Sequence, residues 1–420
     1  MRNYHNRYYY HITMTDCSDW TGFRSWLHSI AVVTFDLELG QVIENLYPSP
    51  GVQPGLQSDC LSEQDRTNIC YLAFPDSNSG IMGDIQFHFR IRRSGPRGGT
   101  LAALREYNAK VLPSLQLDTN FLFGFAYFRQ VKDPSIRRGY YQKSVILLSY
   151  LPLVEFFTQV TTLVARKFFD TGELPLEVAC HDVERWEAPR PGHHLTLPLL
   201  GTLLELHIPS ASSRAGEACQ ETVTVSSAAP LCPLPALDSC SLFSVLLPLL
   251  DSVHTLWELA LTAEPIVVMA PSPAQCSATV QAVTSLIHPL RFMADYRPFY
   301  TIHDADFKEL TSSNSSAIPS IILGVTNPFF NKALQHWPNL VRLSETHPSK
   351  SPAKAKTSSH SGSKFKSESK PGVFTACKPL LDRDKEIVKK ITKGLQLKRP
   401  VEVQTALLRR YFLELTQVTL

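Results

Sequence analysis

Hydrophobic and polar positions alternate along several short runs in the first part of the chain. The runs 30–35 and 41–47 are rich in β-branched and apolar residues and are joined by a turn-like segment, which predicts a hairpin. Three later runs, 85–92, 121–131 and 144–150, have the same character, and the first of them alternates strictly. We therefore expect a five-stranded antiparallel sheet.

Two helical patterns accompany these strands. Residues 100–112 lack glycine and proline and mix leucine with charged residues, which is typical of an amphipathic helix that crosses a sheet. Residues 153–169, which follow Pro152, show a second helical pattern. The chain up to about Phe169 is thus predicted to be an α+β module in which helices pack against a sheet.

The pattern changes in the middle of the chain. Proline and serine become frequent between residues 189 and 238, where loops at 210–215 and 226–235 are expected around a short β-rich stretch at 195–208. This composition indicates a domain boundary.

Short apolar runs and helical patterns alternate beyond this region. Helix-like stretches at 240–261 and 274–287 are interleaved with the apolar runs 265–270 and 321–325. Short apolar strands separated by helices are typical of a buried, mostly parallel sheet. This part of the chain is therefore predicted to be α/β.

The last part of the chain begins with a segment of very low hydrophobicity. Residues 344–370 are mainly serine, lysine and proline, and they cannot bury enough surface to offset the entropy of ordering. We predict a disordered insertion there. Helical patterns resume at 382–397 and from residue 401, where the second helix has an apolar face that carries Leu408, Tyr411, Phe412 and Leu415.

Charge is distributed unevenly. Residues 344–410 hold 16 Lys and Arg against 6 Asp and Glu, a net charge of +10, in a chain whose total is +3. Such a segment suits an acidic partner or an anionic membrane surface, with roughly 1 kcal/mol for each basic residue held near that surface. A solvated basic linker has the same composition, so this alternative stays open. We do not expect nucleic acid as a partner.

The remaining composition is that of an ordinary folded protein. With 420 residues, 44% of them apolar and 19% charged, two or three domains are expected. The first twenty residues lack the apolar core of a secretory signal, and the nine cysteines contain no CxxC pair, so we expect reduced thiols in the cytosol. The apolar stretches 147–169 and 242–270 contain proline and acidic residues, which predicts buried core in place of membrane spans.

No motif for a common catalytic chemistry occurs in the sequence. It contains no GxxxxGK[ST] loop for nucleotide phosphates and no HExxH, GxSxG, GxGxxG or kinase signature. Cys180-His181-Asp182 has the residue types of a nucleophile and its base, but the side chains of consecutive residues point apart. The same limitation applies to His193-His194 as a metal site. We predict no catalytic residue, metal or cofactor.

Several longer peptides are more specific than these short motifs. One of them contains Phe74-Pro75-Asp76 and another reads Ile-Leu-Gly-Val-Thr-Asn-Pro-Phe-Phe at 322–330. In order and spacing the peptides resemble the DENN-domain family of Rab guanine-nucleotide exchange factors, most closely its class-six branch. The resemblance covers roughly residues 20–415 without the lysine-rich insertion, and the peptides that carry it are 35–41, 67–80, 125–131, 139–144, 257–271 and 322–330.

The resemblance implies an arrangement of modules. Residues 1–20 are an atypical leader, 21–170 a longin-like upstream DENN module with its connecting helix, and 171–343 a doubly wound core DENN α/β module. The basic insertion at 344–370 precedes an incomplete start of the helical downstream module at 371–420. On this interpretation the chain is a truncated product. The apolar face of its last helix is then expected to lack partners and to be exposed, which favours aggregation.

The resemblance also implies a function. It implies a cytoplasmic protein, peripheral on recycling endosomes, that opens a Rab-family small GTPase by binding and therefore needs no nucleophile. By analogy with the family, the candidate interface residues are Asp76, Ser77, Asn78, Arg129, Gln130, Asn327 and Pro328. Phe74-Pro75 and Asn327-Pro328 are equally typical of turns and strand ends.

Two other functional classes remain. One is an adaptor that binds a Rab GTPase or a membrane without catalysing exchange. Its folded modules bind a partner, and its basic insertion 344–370 docks on an anionic membrane or is switched by phosphorylation of its serines. The other is a hydrolase or transferase with an unfamiliar site, for which a pocket with convergent titratable groups would be the first sign.

Overall fold

The computed structural model describes residues 20–48, 60–76, 81–94, 102–212, 221–227, 241–312, 318–344, 370–381 and 384–419. The predicted leader, apart from its last residue, and nearly all of the predicted insertion lie outside the described residues. The described helices are α1 (Thr21–Trp26), α2 (Glu63–Leu72), α3 (Ala102–Lys110), α4 (Val154–Thr171), α5 (Leu174–Glu184), α6 (Leu242–Leu246), α7 (Val253–Leu261), α8 (Pro273–Ser285), α9 (Phe307–Thr311), α10 (Phe330–Ala333), α11 (Lys385–Gln396) and α12 (Val401–Thr419). The described strands are β1 (Ser29–Asp36), β2 (Gly40–Tyr47), β3 (Gly83–Arg92), β4 (Phe121–Lys132), β5 (Tyr140–Ser149), β6 (His194–Leu199), β7 (Thr202–His207), β8 (Thr222–Ser227), β9 (Ile266–Met269), β10 (Asp295–Arg297), β11 (Ile321–Val325), β12 (Asn339–Arg342) and β13 (Gly372–Thr375).

The predicted antiparallel sheet is confirmed. Its described strands lie in the order β2-β1-β5-β4-β3, and we call it the antiparallel sheet. The predicted hairpin closes with Asp36 opposite Gly40. Gly40 has a φ of 79°, a left-handed conformation that glycine adopts without steric cost. The predicted helices at 100–112 and 153–169 are α3 and α4.

Both faces of the antiparallel sheet are buried. Val32 and Leu147 share a core with α4 and α5 on one face, while their neighbours Val33 and Leu148 share a core with α2 on the other. Because successive side chains of a strand point to opposite faces, a strand that is covered on both sides is apolar throughout. Strand β3 is the exception, because its apolar residues alternate with the buried polar residues His88 and Arg90.

A small sheet follows in the proline-rich region. Its described strands have the order β6-β7-β8, and its first hairpin turns at Leu200 and Gly201, whose φ angles are 50° and 79°. The small sheet contacts α4 and α5, and its Leu197 and Leu204 lie in the same core as Val32 of the antiparallel sheet. The boundary predicted at residue 170 therefore divides residues that share one core.

The second half of the chain contains the predicted parallel sheet. Its described strands have the order β10-β11-β9-β12-β13; the first four run parallel, and β13 is antiparallel to β12. Ile266 and Val268 face the core formed with α6, α7, α8, α11 and α12, whereas Val267 faces the core that contains Phe330 and Trp337. Helices therefore cover both faces, as expected for an α/β layer. That the two halves are longin-like and core DENN modules stays a prediction.

The expectation of an exposed apolar face on the last helix is wrong. Leu408 is 0% and Phe412 2% exposed, and both lie in the core of the parallel sheet. Trp257 of α7, in the same core, donates a hydrogen bond from Nε1 to Oγ1 of Thr416 at 3.0 Å. Strand β13, which precedes α12 in the chain, also pairs with β12 of this sheet. The partners of α12 are thus α6 and α7, which lie about 160 residues earlier and cannot be recognised from the local pattern of α12.

One stretch of the described residues, Leu242–Leu261, is long and apolar enough for a membrane span by composition alone. It is not one continuous α-helix, because a 3₁₀ segment at Leu247–Ser252, with Pro248 near its start, separates α6 from α7. Its most apolar window is 72% buried inside the protein. The prediction that this stretch forms core is confirmed.

Candidate functional site

The antiparallel and parallel sheets meet along a contact that we call the inter-sheet joint. The Phe87 ring of β3 meets the Phe299 ring, which follows β10, edge to face at 5.4 Å between centroids. The backbone N–H of His88 donates to Oγ of Ser277 on α8 at 3.4 Å. Strand β3 therefore lies against α8 and the edge strand β10 of the α/β half.

One end of the joint, at the amino ends of β10 and β11, is a buried cluster of charge and aromatic rings. The Arg90 guanidinium donates to Oδ1 of Asp295 at 2.7 Å and to the Tyr296 carbonyl at 3.2 Å. Its carbon lies 3.4 Å from the Phe121 ring centroid and 4.2 Å from that of Tyr296. The Arg90 side chain is only 6% exposed, so its guanidinium is shielded from solvent.

A second ion pair also crosses this end. Arg291 donates to Oδ2 of Asp118 at 2.6 Å, and both side chains are partly exposed. Two charged contacts thus fix the relative position of the sheets where β10 and β11 begin.

The other end of the joint, at the carboxyl ends of these strands, is more open. Thr326, which directly follows β11, donates its hydroxyl to Oδ2 of Asp76 at 2.6 Å, across a sequence separation of 250 residues. The Tyr71 ring stacks on the His303 ring at 4.3 Å and 16°. Burial raises the pKa of Asp76, and the hydrogen bond from Thr326 opposes that rise. Ligands of open α/β sheets bind preferentially at the carboxyl ends of the strands.

Local structure explains how Asp76 reaches this position. Helix α2 begins with a capping box in which Ser62 and Asp65 satisfy each other's backbone N–H groups. Arg93 donates to Asp65 at 3.1 Å and thereby ties the start of α2 to the end of β3. After α2, the Phe74 ring packs on Phe128 at 5.2 Å, and Asp76 follows two residues later.

At the same end of the joint, in the half of the chain that contains the parallel sheet, the segment after β11 presents an exposed aromatic ring. Oδ1 of Asn327 accepts the N–H of Phe329 at 2.9 Å, which fixes the turn into α10. Phe329 is 52% exposed, although its ring also contacts Phe307 at 6.1 Å and Phe330 at 6.2 Å. Pro328 is exposed beside it. The Phe329 ring is therefore held in place by two neighbouring rings and is still available to a partner.

The structure brings three of the predicted interface residues to one place. Asp76, Asn327 and Pro328 all lie at the carboxyl end of the joint. Ser77 and Asn78 lie outside the described residues.

The other two candidates lie near the end of β4. Arg129 makes two hydrogen bonds of 2.6 Å to Asp84 and stacks over the Phe169 ring at 4.4 Å. Gln130 accepts from Gln142 at 2.6 Å. As neighbours in a strand, Arg129 and Gln130 point to opposite faces of the antiparallel sheet, so at most one of them can join a given surface.

Sequence reasoning missed four residues of this end. Thr326 and Phe329 directly flank Asn327-Pro328, and their place in the same peptide was the available signal. Tyr71 and His303 meet only through the fold, and no local pattern marks either of them.

Comparison with known proteins places the chain in a family. No family model matches it. It is 46% identical to mouse protein DENND6A over 405 residues, which are 95% of this chain and 65% of that protein. It is 43% identical to human protein DENND6B over 414 residues, or 96% of this chain and 68% of that protein. The chain belongs to the DENND6 family.

A more distant relative extends this family beyond vertebrates. The DENND6 homolog of Dictyostelium discoideum is 31% identical over 460 residues, which cover 94% of this chain and 60% of that protein. The chain spans about two thirds of the length of the DENND6 proteins that it matches. The resemblance to the class-six DENN branch is thereby confirmed.

This DENND6 chain also contains a cleft of about 1470 Å³ beside β3, between α4, α8 and α12. Gln86, His88 and Arg90, the polar side chains of the alternating strand β3, line it. None of the described candidate interface residues does. The alternation of β3 thus marks a strand that borders a polar cleft inside the protein.

Several titratable groups of the cleft are buried. Burial raises the pKa of Glu221 to about 7, and its carboxylate accepts the N–H of Glu155 at 3.1 Å in the first turn of α4. Burial lowers the pKa of His88 to about 3 and that of His288 to about 4, so both imidazoles are neutral at pH 7. Glu221 therefore serves as a distant cap for a helix, and the cleft presents no nucleophile paired with a base.

The sequence clusters with catalytic residue types do not converge. On α5, Cys180 is buried and its pKa is raised to about 12, His181 faces the Trp20 ring at 5.1 Å, and Asp182 accepts from the Leu200 N–H at 2.9 Å. Across the small sheet His194 stacks on His207 at 4.6 Å. Among the residues that the structure describes, no group of three His, Cys, Asp or Glu could hold a metal ion.

Proposed function

We propose that this DENND6 chain is a guanine-nucleotide exchange factor that promotes GDP release from a Rab-family small GTPase in endosomal recycling traffic. Family membership and the DENN peptides support the proposal. The observation that carries it is the carboxyl end of the inter-sheet joint. There Asp76 and Thr326, from the two halves of the chain, meet at 2.6 Å beside the exposed ring of Phe329.

Such a surface suits a protein that promotes nucleotide exchange by binding. An exchange factor accelerates nucleotide release by binding the GTPase more tightly when its switch segments are displaced and the nucleotide site is empty. By reciprocity, a returning nucleotide weakens the complex by the same factor and releases the GTPase. A rigid surface built from two halves can contact two segments of the GTPase at once, and it needs no nucleophile, metal or cofactor of its own.

The proposal includes a place of action. The protein works in the cytoplasm, peripheral on recycling endosomes, where its Rab GTPase is bound to the membrane. Its direct test is the release of a fluorescent GDP analogue from a panel of Rab GTPases, with mouse DENND6A assayed beside this chain. Acceleration that rises with the concentration of the chain and is limited to a few Rabs supports exchange. A chain that leaves every release rate unchanged contradicts it.

A non-exchanging adaptor that binds a Rab or an anionic membrane is the second candidate, because the described part of segment 344–410 has a basic surface. Helix α11 exposes lysines on the sides that face away from the core, and the turn after it is also basic. The exposed basic residues are Lys385, Lys389, Lys390, Lys393, Lys398 and Arg399. Only Lys389 of these forms an ion pair among the described residues, with Glu386 at 2.6 Å.

Vesicle co-sedimentation distinguishes this adaptor from the exchange factor. Vesicles with phosphatidylserine should retain the chain and neutral phosphatidylcholine vesicles should not, and reversal of four of the α11 charges to glutamate should abolish retention. Retention without any GDP release favours the adaptor. Equal retention on both kinds of vesicle rules out the electrostatic membrane contact.

A further inference from the structure

The two ends of the inter-sheet joint are separated by most of the length of the strands that form it. Asp295 and Ile321 pair where β10 and β11 begin, whereas Thr326 follows the last residue of β11. Five residues of strand correspond to about 17 Å. The same separation holds on the antiparallel sheet, because the Phe74 partner Phe128 pairs with Ile85, which lies five residues from Arg90 along β3.

The contacts at the two ends differ in kind. The amino end holds the sheets together through the Arg90 and Asp118 ion pairs. The described contacts at the carboxyl end include a short hydrogen bond from Thr326 to Asp76 and the stacking of Tyr71 on His303. A carboxylate that accepts a hydroxyl hydrogen bond in a largely buried position forms a strong and directional contact. The bond from Thr326 to Asp76 is therefore a direct and directional contact between the two halves at this end.

The hydrogen bond links two chain segments that carry the proposed surface. On one side Asp76 is the last described residue after α2, and on the other Thr326 leads into the turn that presents Phe329. Without this bond, each segment remains attached to its own sheet. The stacking of Tyr71 on His303 is then the contact described above that still aligns the segments at this end, and the ion pairs that join the sheets lie about 17 Å away. A small rotation about the amino end then becomes a displacement of the order of an ångström at the carboxyl end.

We propose that Asp76 and Thr326 are positioning residues, whose hydrogen bond aligns the two halves of the GTPase-binding surface. This inference rests on the proposed exchange function. The bond acts through the neighbouring surface and has no chemical role of its own. Because the gain in affinity for the displaced switch segments depends on simultaneous contact with both halves, misalignment lowers the rate of exchange at saturation more than it lowers initial binding.

The test is a set of variants assayed for GDP release over a range of GTPase concentrations. Thr326→Val keeps the shape and removes the hydroxyl, and Asp76→Ala removes the acceptor. Each is expected to lower kcat about tenfold, with a change in KM below about threefold, and the double variant should be no worse than either single one. Thr326→Ser and Asp76→Asn retain a donor and an acceptor oxygen, so they should restore most of the rate.

Two measurements separate positioning from a loss of structure. Arg291→Gln breaks the ion pair at the amino end and serves as the matched control: it should lower stability to urea without a selective fall in kcat. Amide hydrogen exchange, which needs no GTPase, should accelerate in Thr326→Val at the end of α2 and at 326–334, and remain unchanged around Arg90.

Each outcome of these assays either supports or overturns the positioning role of Asp76 and Thr326. Loss of kcat with rescue by the conservative variants and local acceleration of hydrogen exchange supports the inference. If Thr326→Val behaves as the wild type in both assays, or if its rate falls only in proportion to stability, the inference is overturned while exchange itself stands. If the wild type releases no GDP from any Rab, the exchange function fails and the positioning role fails with it, whatever the hydrogen exchange shows.

Discussion

Both ends of the inter-sheet joint contain charged and aromatic residues, but the two ends differ in how exposed these residues are. At the amino end the Arg90 side chain is 6% exposed, enclosed by two aromatic rings and paired with Asp295. At the carboxyl end the ring of Phe329 is 52% exposed, close to the hydrogen bond between Asp76 and Thr326. The first arrangement holds two sheets together, and the second leaves residues of both sheets accessible. Charge by itself therefore does not identify a functional site, because the more highly charged end is the structural one.

The largest effect is expected at the amino end. Arg90→Ala removes one partner of a buried ion pair together with its ring contacts, and it should lower the free energy of unfolding by about 4 kcal/mol. Arg92, two residues further on the same strand, is exposed, so Arg92→Ala should change that free energy by less than about 0.5 kcal/mol. Urea denaturation of the two variants measures the difference. Equal stability would show that Arg90 does not hold the joint.

The second largest loss of stability is expected from a substitution in the core beneath the parallel sheet. Phe412 is 2% exposed against α7, and Phe412→Ala should cost about 3 kcal/mol through lost burial and the cavity that remains. Val418, on the same helix, is 85% exposed, and Val418→Ala should be neutral to within about 0.5 kcal/mol. Thermal unfolding followed by circular dichroism compares them. A neutral Phe412→Ala would restore the interpretation of α12 as an unpartnered helix.

An intermediate effect, dependent on pH, is expected at Asp304, in the turn that presents His303. Burial raises the pKa of Asp304 to about 6, although Thr301 donates to its carboxylate from both its N–H and its hydroxyl. Because the folded pKa lies above the value near 3.9 of an unfolded chain, the folded state binds the proton more tightly, and stability falls as the pH rises from about 4 to 6. The expected loss is about 3 kcal/mol.

Comparison with Asp304→Asn isolates this contribution. Urea denaturation at several pH values between 4 and 7 should show a steeper decline for the wild type than for the variant. Parallel curves would mean that Asp304 has the same pKa in the folded and unfolded states.

The smallest effect on stability is expected at Phe329, where the effect on binding should be large. Phe329→Ala should change the free energy of unfolding by less than about 0.5 kcal/mol, because half of the ring is already in water. If the exchange function holds, affinity for the GTPase should fall at least about tenfold, as for a rigid aromatic anchor. Leu203→Ala, at a similarly exposed position on the small sheet, is the control and should leave affinity unchanged. Unchanged affinity in Phe329→Ala would remove this ring from the interface.

The strands and helices with strong local patterns could be predicted from sequence. The five strands of the antiparallel sheet, helix α4 and the apolar strands β9 and β11 follow from periodicity over windows of a few residues. Strands β10, β12 and β13 are only three or four residues long and were missed, because, unlike the apolar β9, they include polar, charged or glycine residues and form no apolar run. Strand β8 was missed because the serine-rich and proline-rich composition around it is typical of loops.

The candidate site could be predicted only in part. Asp76, Asn327 and Pro328 were identified from family-like peptides, and the fold brings them to one end of the joint. Tyr71 and His303 have no distinctive neighbours in sequence, and their stacking depends on how two sheets dock. Arg129 belongs to a similar peptide, yet its guanidinium is occupied by Asp84.

The sequence by itself determined the two kinds of sheet, the family and the lack of a familiar catalytic motif, because these depend on short-range periodicity and on peptides that can be compared directly. Only the tertiary structure decided that the last helix is buried, that the small sheet shares the first core, and that Asp76 meets Thr326. Each of these depends on contacts between residues far apart in the chain. Such contacts are selected by complementary shape and charge across a whole interface, and no local segment contains that information.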